Sequence, residues 1–330
     1  MTSFEGSVFT NKYFRLSLGL LLGAALLYLS VRNVSWIEVK SEFESIVYGW
    51  IFLALILYWI ELTLRIARWR ILLSQLKPPV LKYHIVLAFL SGYAANNVLP
   101  AKLGEAFRAD LLGRLASVSR LSAFGSIIVE RLLDMVAILG MAAWGLVFVT
   151  TTHLDILEEV NQGLAILVAP VALLVLAVYF LVAKQENPLN IKLKTLSVKI
   201  KNLIHGLHAL EDTSSYLKLL ASTLIIWTLN CLAIWPIMMS LNIHLNLNQT
   251  LLLIGLTGIS AAIPAAPAGI GTLQYAFHIT AVLFDFSASA ALVASAIVQI
   301  ALLGSASLVG AFTYSYAVSH HLLPDKGVNP

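Results

Sequence analysis

The sequence predicts an all-α integral membrane protein, a helical bundle of about six full spans plus two opposed re-entrant helical hairpins in an inverted-repeat-like arrangement. Of its 330 residues, 59% are hydrophobic and 12% are charged, whereas a soluble domain carries roughly 25% charged residues. The apolar residues form long continuous runs, unlike the ~10-residue alternating segments of a membrane β-barrel. Polar breaks interrupt the apolar sequence at two places. We therefore expect a single transmembrane domain over residues 1–330.

The predicted spans follow the long apolar runs. These runs cover residues 16–31, 48–64, 121–149, 165–182, 219–241 and 288–318. Lys12 and Arg15 precede the first run and an acidic loop follows it, which places the N-terminus in the cytoplasm. A secretory signal fits less well, because no Ala-x-Ala-like cleavage site closes the run. The basic segment at about 184–218 is also expected in the cytoplasm, as a surface helix.

The first hairpin is predicted over residues 83–114. Its apolar part is only about 15 residues long, shorter than the ~20 that a full crossing needs. Lysines and arginines flank it on both sides, so the chain is expected to enter from the cytoplasm and return there. Asn96 and Asn97 lie near its tip, and Pro100 and Gly104 break the helix, since proline lacks an N–H donor and glycine permits close approach.

The second hairpin is predicted over residues 251–284, with breaks at Pro264 and Pro267 followed by Gly269 and Gly271. Its flanking loops contain no lysine or arginine, which favours entry from the outer side. Two full crossings would satisfy the same charge pattern, so both interpretations stay open. A polar break at membrane depth is tolerated only where protein or a wet cavity covers it. Two such breaks in corresponding halves predict a substrate site between repeats.

Several charged residues lie inside the apolar runs. Glu130 is about 15 Å past Arg120 along a helix, near the middle of a ~30 Å hydrocarbon core. Arg131 and Asp134 are spaced for an ion pair on one helix face. Buried ions are expensive and usually face the bundle interior in pairs. These residues therefore form either a functional site or a structural ion cluster, and the two roles are compatible.

The candidate substrate-binding residues combine cations, carboxylates, amides and a glycine-rich tip. They are Asn96, Asn97, Lys102, Glu105, Arg108, Glu130, Arg131, Asp134, Gly269, Gly271 and Gln274. The cations suit phosphate, and the carboxylates would hold those cations ready or couple a proton. Arg65 and Arg68, at the end of the second run, are expected at the cytoplasmic entrance, where they set topology or meet lipid headgroups.

Four motifs in order resemble one known family. They are Arg68-Trp69-Arg70, Asn-x-Leu-Pro-x-x-x-Gly-Glu-x-x-Arg at 97–108, Glu130-Arg131-x-x-Asp134, and Pro-x-Gly-Ile-Gly-Thr at 267–272. The chain resembles, over nearly its whole length, the membrane flippase domain of lysylphosphatidylglycerol synthases and its stand-alone relatives. The resemblance implies a helical bundle with re-entrant hairpins that translocates lipids such as aminoacylated phosphatidylglycerol. Some relatives are attached to or encoded with glycosyltransferases, or are implicated in handling hopanoid or polyprenyl lipids.

The chain departs from that family in two respects. The soluble aminoacyl-transferring domain of the full synthase is absent, so synthesis of lysyl lipid is not expected. Gln274 stands where we expect an acidic residue in many relatives, which weakens the case for a cationic headgroup.

The expected function is therefore transport rather than catalysis. The protein would flip a phosphate-bearing phospholipid or polyprenyl-phosphate lipid across the bacterial cytoplasmic membrane, with both termini cytoplasmic. No cofactor, metal or nucleic acid is expected, since the sequence contains no P-loop and no Asp-x-Asp motif. A separate lipid synthase or glycosyltransferase is the expected kind of partner, and a homodimer is compatible with the sequence. The alternatives are an integral-membrane transferase with Glu130 or Asp134 as base, and a structural partner of a separate lipid synthase.

Overall fold

A computed structural model of the chain describes residues 12–74, 76, 78–99, 103–149, 151–163, 213–263, 266–320 and 322. The predicted span at 165–182 and most of the segment at 184–218 lie outside the described residues, as do Pro100, Lys102 and Pro264. All regular secondary structure in the described part is helical.

The helices are α1 Lys12–Val31, α2 Trp36–Glu44, α3 Tyr48–Leu73, α4 Lys82–Val98, α5 Leu103–Ala116, α6 Arg120–Phe148, α7 Thr213–Ser240, α8 Leu247–Ala262, α9 Thr272–Leu283, α10 Ala288–Ile297 and α11 Gly304–Ser319. Residues 154–163 are also helical. A 3₁₀ turn, Pro267–Gly269, lies between α8 and α9, and a π-helical segment, Val298–Leu303, joins α10 to α11.

Four described helices are long and apolar enough to cross a membrane. They are Tyr48–Leu73, Arg120–Phe148, Ser215–Ser240 and Ala288–Ser319. The part of α1 from Gly19 to Val31 and α2 are together apolar enough for a fifth span, but they meet at 83°. The chain is thus an all-α integral membrane protein, as predicted.

Two boundaries differ from the sequence prediction. The second span continues beyond residue 64 to Leu73, because its arginines find acidic partners inside the protein and need not end the helix. Residues 36–44, predicted as a loop, form α2. Ser35 caps this helix by accepting a hydrogen bond from the Glu38 backbone N–H at 3.4 Å. Serine is a favoured cap because it satisfies one of the free N–H groups of the first turn.

The helix contacts are reciprocal between the two halves of the chain. The first hairpin helix, α4, packs against α11, and the corresponding helix of the second hairpin, α8, packs against α6. The preceding spans, α3 and α7, pack side by side and antiparallel, with Val47 against Ser240 at one end and Arg68 against Thr223 toward the other. If α3 and α7 are equivalent helices of two repeats, the two-fold axis that relates the repeats must be perpendicular to them, because the two helices are antiparallel. This is the contact pattern that an inverted repeat predicts.

Small residues allow these helices to approach closely. A Cβ atom added at Gly310 of α11 would collide with the Leu90 carbonyl oxygen of α4. A Cβ at Gly145 of α6 would collide with the backbone of Leu252 in α8. Such contacts are typical of membrane helix interfaces, where close van der Waals packing drives association. The second of these contacts holds α6, which carries three of the charged residues described next.

Candidate functional site

Eight ionised side chains from three helices meet inside the protein, and we call them the charged cluster. Its members are Glu61, Arg65 and Arg68 of α3, Glu105 and Arg108 of α5, and Glu130, Arg131 and Asp134 of α6. Four are arginines and four are carboxylates, so their formal charges cancel. Such pairing is what a low-dielectric interior demands of ionised groups.

Asp134 lies between three arginines. Its carboxylate is 2.8 Å from Arg68 Nη1, 3.3 Å from Arg65 Nη1 and 3.4 Å from Arg131 Nη1. The Trp227 indole N–H of α7 donates a further hydrogen bond at 3.2 Å. Arg68 is fully buried and also donates to Thr223 Oγ1 at 3.0 Å. Asp134 therefore joins α3, α6 and α7 in the buried part of the cluster.

Glu130 and Arg108 form a buried two-point pair. Arg108 Nη2 is 2.9 Å from Glu130 Oε2, and Nη1 is 3.3 Å from Oε1. The guanidinium carbon lies 3.6 Å from the centre of the Trp69 ring and 4.2 Å from that of Phe89. Arginine suits this position because its planar group can bind a carboxylate at two points and also stack on aromatic rings. The pair holds α5 against α3, α4 and α6.

Glu61 is the carboxylate of the charged cluster that lies nearest α7. It accepts from Arg65 Nε at 2.7 Å and from the Asn230 amide at 3.1 Å. The Arg65 guanidinium carbon is 5.2 Å from the Trp227 ring centre. α7 thus contributes neutral hydrogen-bond donors and an aromatic ring rather than charges.

The charged cluster is accessible at one edge. The Arg131 side chain is 43% exposed and that of Glu105 is 21% exposed, whereas the other members are nearly or fully buried. Arg131 Nε and Glu105 Oε1 are 2.7 Å apart. A ligand that reaches the cluster from outside would therefore meet one cation and one anion first.

The two hairpin tips are hydrogen-bonded to the π-helical segment and to the first turn of α11 that follows it. The Asn97 amide donates to Ser307 Oγ at 2.8 Å and to the Leu303 carbonyl at 3.4 Å. Gln299 donates to the Ala268 carbonyl at 3.1 Å and accepts from Gln274 at 2.7 Å. π-Helical segments inside α-helices are frequent at functional sites. The same stretch of the last span therefore positions both tips.

A family model described as "Lysylphosphatidylglycerol synthase TM region" matches residues 16–310. The chain belongs to this family. The matched region contains the whole charged cluster, the described parts of both hairpins and the π-helical segment.

Two curated archaeal proteins are similar to this family member, and both are named UPF0104 membrane protein. The protein of Methanocaldococcus jannaschii is 28% identical over 184 residues, which cover 55% of this chain and 76% of that protein. The protein of Methanothermobacter thermautotrophicus is 28% identical over 144 residues, which cover 43% of this chain and 41% of that protein.

The structure of this lysylphosphatidylglycerol synthase TM-region protein brings some predicted site residues together. The charged cluster includes all five charged candidates of α5 and α6: Glu105, Arg108, Glu130, Arg131 and Asp134. Arg65 and Arg68, expected at the cytoplasmic entrance, belong to the charged cluster, where Asp134 pairs with both. Their position at an entrance stays a prediction. The substrate-binding role of these residues stays a prediction.

The remaining candidates lie at the hairpins. Asn97 and Gln274 bond to the last span and to the turn before α9, not to the charged cluster. The Asn96 side-chain oxygen is buried and has no hydrogen-bond partner among the described residues. Gly104 permits close packing against Asn96, and Gly271 is the N-cap of α9.

Sequence reasoning missed several residues that the site uses, among them Glu61 of α3, three residues of α7 and Gln299. Thr223, Trp227 and Asn230 are spaced by four and three residues in an otherwise apolar run, which puts them on one helix face. That spacing was a usable signal. Gln299 had none, because its role depends on the π-helical geometry around it.

We expect Gln299→Leu to destabilise the protein by about 1–3 kcal/mol. The change removes two hydrogen bonds and leaves the Ala268 carbonyl and the Gln274 amide without their partner. Thermal unfolding of purified protein in detergent would measure the loss. Gln162→Leu, on an exposed helix face, is the matched control and should have little effect. Equal unfolding temperatures for Gln299→Leu and wild type would show that the tether is not stabilising.

Proposed function

We propose that this protein flips a phosphate-bearing lipid or lipid-linked precursor between the leaflets of the bacterial cytoplasmic membrane. The observation that supports this most is a charge-balanced polar cluster inside a bundle of membrane-spanning helices, open at the Arg131–Glu105 edge. A headgroup that crosses hydrocarbon loses its hydration, and an isolated charge there is very unfavourable. A cluster with both signs replaces that water while the acyl chains stay in lipid. Membership of a lipid-synthase membrane family supports a lipid as the substrate.

Arg131 is the arginine best placed to receive the phosphate. It contacts three carboxylates, at 2.7 Å from Glu105, 3.4 Å from Asp134 and 3.6 Å from Glu130. If Arg131 turns toward a phosphate, Asp134 and Glu130 still keep other arginines. The other three arginines are nearly or fully buried, so none of them can reach a headgroup without leaving the interior. Release of Arg131 therefore perturbs the cluster least, and its planar group can bind phosphate at two points.

The hairpins would gate this path in the proposed mechanism. Each is a re-entrant hairpin that enters from its own side of the membrane, as the charge pattern and the reciprocal helix contacts suggest. The α4 helix also contacts the 3₁₀ turn at the tip of the second hairpin. Alternating access would then be a movement of the two hairpins about the π-helical segment that tethers both.

The transferase alternative receives less support from the geometry. A general base must lie within hydrogen-bond reach of the proton that it removes. Glu130 and Asp134 are both buried and are surrounded by arginines, so neither faces an approaching substrate. The structural-partner alternative predicts that the exposed members of the charged cluster can be changed without loss of function, and the next experiment tests this.

We expect Arg131→Gln to slow lipid flipping by about tenfold or more, since a charge-assisted hydrogen bond contributes about 1.5–3 kcal/mol. Purified protein would be reconstituted into lipid vesicles that contain one fluorescent lipid. The lipids to compare are acyl-labelled phosphatidylglycerol, phosphatidylethanolamine and aminoacylated phosphatidylglycerol, and a polyprenyl phosphate labelled on its chain. Quenching of the outer-leaflet label by dithionite then gives the rate. Arg114→Gln is the matched control, because Arg114 pairs with Asp110 of its own helix at 2.6 Å, outside the charged cluster.

Wild-type vesicles that move none of these lipids faster than empty vesicles would reject the flipping function. A folded Arg131→Gln protein that flips lipid as fast as wild type would reject the role assigned to Arg131 and leave the flipping function standing.

A further inference from the structure

We infer that the preferred headgroup is zwitterionic, with one phosphate and one primary ammonium group. This inference rests on the proposed flipping function and names its substrate class. It follows from two features of the charged cluster: the balance of its charges and the opposite charges of its two accessible members, Arg131 and Glu105.

The charge balance of the cluster selects against a net charge on the ligand. Its described members are Arg65, Arg68, Arg108 and Arg131 against Glu61, Glu105, Glu130 and Asp134, so its formal charge is zero. A zwitterionic headgroup leaves that sum at zero. An anionic headgroup, such as that of phosphatidylglycerol, adds an uncompensated negative charge in a low-dielectric setting. The neutral ligand is therefore favoured at the moment of entry, when headgroup and protein have both lost water.

The accessible edge supplies one partner for each end of such a headgroup. When the 2.7 Å contact between Arg131 and Glu105 opens, Arg131 loses a carboxylate and gains a phosphate. Glu105 loses a guanidinium and gains an ammonium group with three N–H donors. One ion pair becomes two, and neither protein group is left alone. An anionic lipid would satisfy Arg131 but leave Glu105 without a cationic partner among the described residues.

Spare donors deeper in the cluster fit the phosphate end of the same headgroup. Arg108 Nε, Arg68 Nε and Arg68 Nη2 are buried and have no hydrogen-bond partner in the described part of the chain. Arg68 Nη2 is 3.9 Å from Glu130, too far for a hydrogen bond. Buried N–H groups are normally satisfied, so these three are unpaired donors on two arginines that, like Arg131, contact Glu130. A phosphate has the acceptor oxygens to occupy them.

The test compares two lipids and one charge change. Vesicles would carry acyl-labelled phosphatidylethanolamine or acyl-labelled phosphatidylglycerol, so that both headgroups stay unmodified. We expect wild-type protein to move the ethanolamine lipid about tenfold faster, because the anionic headgroup leaves an unpaired charge. Glu105→Gln gives the cluster one extra positive charge and should reverse the order. Glu105→Asp keeps the charge and should restore the wild-type order.

Asp110→Asn is the matched control, since Asp110 lies on the same helix but pairs with Arg114 and Arg120 outside the charged cluster. Its ratio of the two rates should equal that of wild type. Phosphatidylglycerol moving as fast as phosphatidylethanolamine in wild type would overturn the inference and leave the flipping function standing. So would a folded Glu105→Gln protein with an unchanged ratio. If neither lipid moves faster than in empty vesicles, the zwitterionic preference is rejected, and transport of the remaining lipid classes decides the flipping function.

Discussion

Replacing Arg68 with methionine is expected to destabilise the protein by about 3–5 kcal/mol, the usual effect of removing one partner of a buried ion pair. Arg68 is fully buried, and its Nη1 lies 2.8 Å from Asp134 Oδ1 and 3.0 Å from Thr223 Oγ1. The change leaves the cluster with four carboxylates and three arginines. Asp134→Leu should destabilise by a similar amount, because Arg65, Arg68 and Arg131 all lose a partner.

The double variant Arg68→Met/Asp134→Leu should be more stable than either single variant. It leaves Arg65, Arg108 and Arg131 against Glu61, Glu105 and Glu130, so the formal charges cancel again, and it fills the space with apolar atoms. Replacing a buried pair by hydrophobic residues is often neutral, whereas breaking it is not.

Unfolding free energies from titration with a denaturing detergent would give the coupling energy of this double-mutant cycle. Arg114→Met, at a partly exposed pair on α5, should change stability by less than about 1 kcal/mol. Additive losses in the double variant would mean that Arg68 and Asp134 do not act as a pair.

The charges of the sequence were sufficient to predict that Glu130, Arg131 and Asp134 would have partners. An ionised side chain in an apolar helix must meet an opposite charge, and Glu105 and Arg108 of the first hairpin were among the predicted site residues. The individual pairings were not predictable. Whether Arg108 meets Glu130 depends on the register of α5 against α6, which is set by packing along both helices rather than by the spacing within either.

The structure gives Arg65 and Arg68 a shared partner, Asp134, which their position at the end of an apolar run did not indicate. An arginine at the end of an apolar run is usually read as the aqueous end of a span. That rule assumes that the arginine has no acidic partner inside the helical bundle. Here Glu61 is on the same helix and Asp134 is on a neighbour, so α3 keeps both arginines within the protein. A charge count over single segments has no information about such partners.

Gln274 shows a further limit of sequence reasoning. The sequence suggested a substrate contact that had lost an acidic charge. In the structure, its Oε1 accepts from the Gly271 backbone N–H at 2.8 Å and its Nε2 donates to Gln299. A glutamine three residues after an N-cap is one half of a capping box, but the N-cap here is glycine and has no side chain to form the other half, so the sequence held only part of that signature. The bond to Gln299 was beyond sequence reasoning, because it joins residues on two helices.

Gly271→Ala is expected to have the second large effect, a destabilisation of about 2–5 kcal/mol. Gly271 has φ +89°, a backbone conformation that residues with a Cβ atom rarely adopt. The α1 helix also passes directly over this glycine, and an added Cβ would collide with the Gly23 carbonyl oxygen. Backbone strain and steric overlap therefore act together, and α1 must move away from α9 to relieve the overlap.

The α6 helix offers a matched control for this change. A Cβ atom at Gly140 meets no atom within 4 Å among the described residues. Because alanine favours a helix over glycine by about 1 kcal/mol, Gly140→Ala should be neutral or slightly stabilising. Thermal unfolding of the two variants and of wild type in the same detergent separates local strain from a general effect of added methyl groups. If Gly271→Ala unfolds at the wild-type temperature, α1 and the second hairpin separate easily enough to accommodate the added methyl group. The turn before α9 would then be free to move without α1, and the proposed gating would need only the π-helical tether.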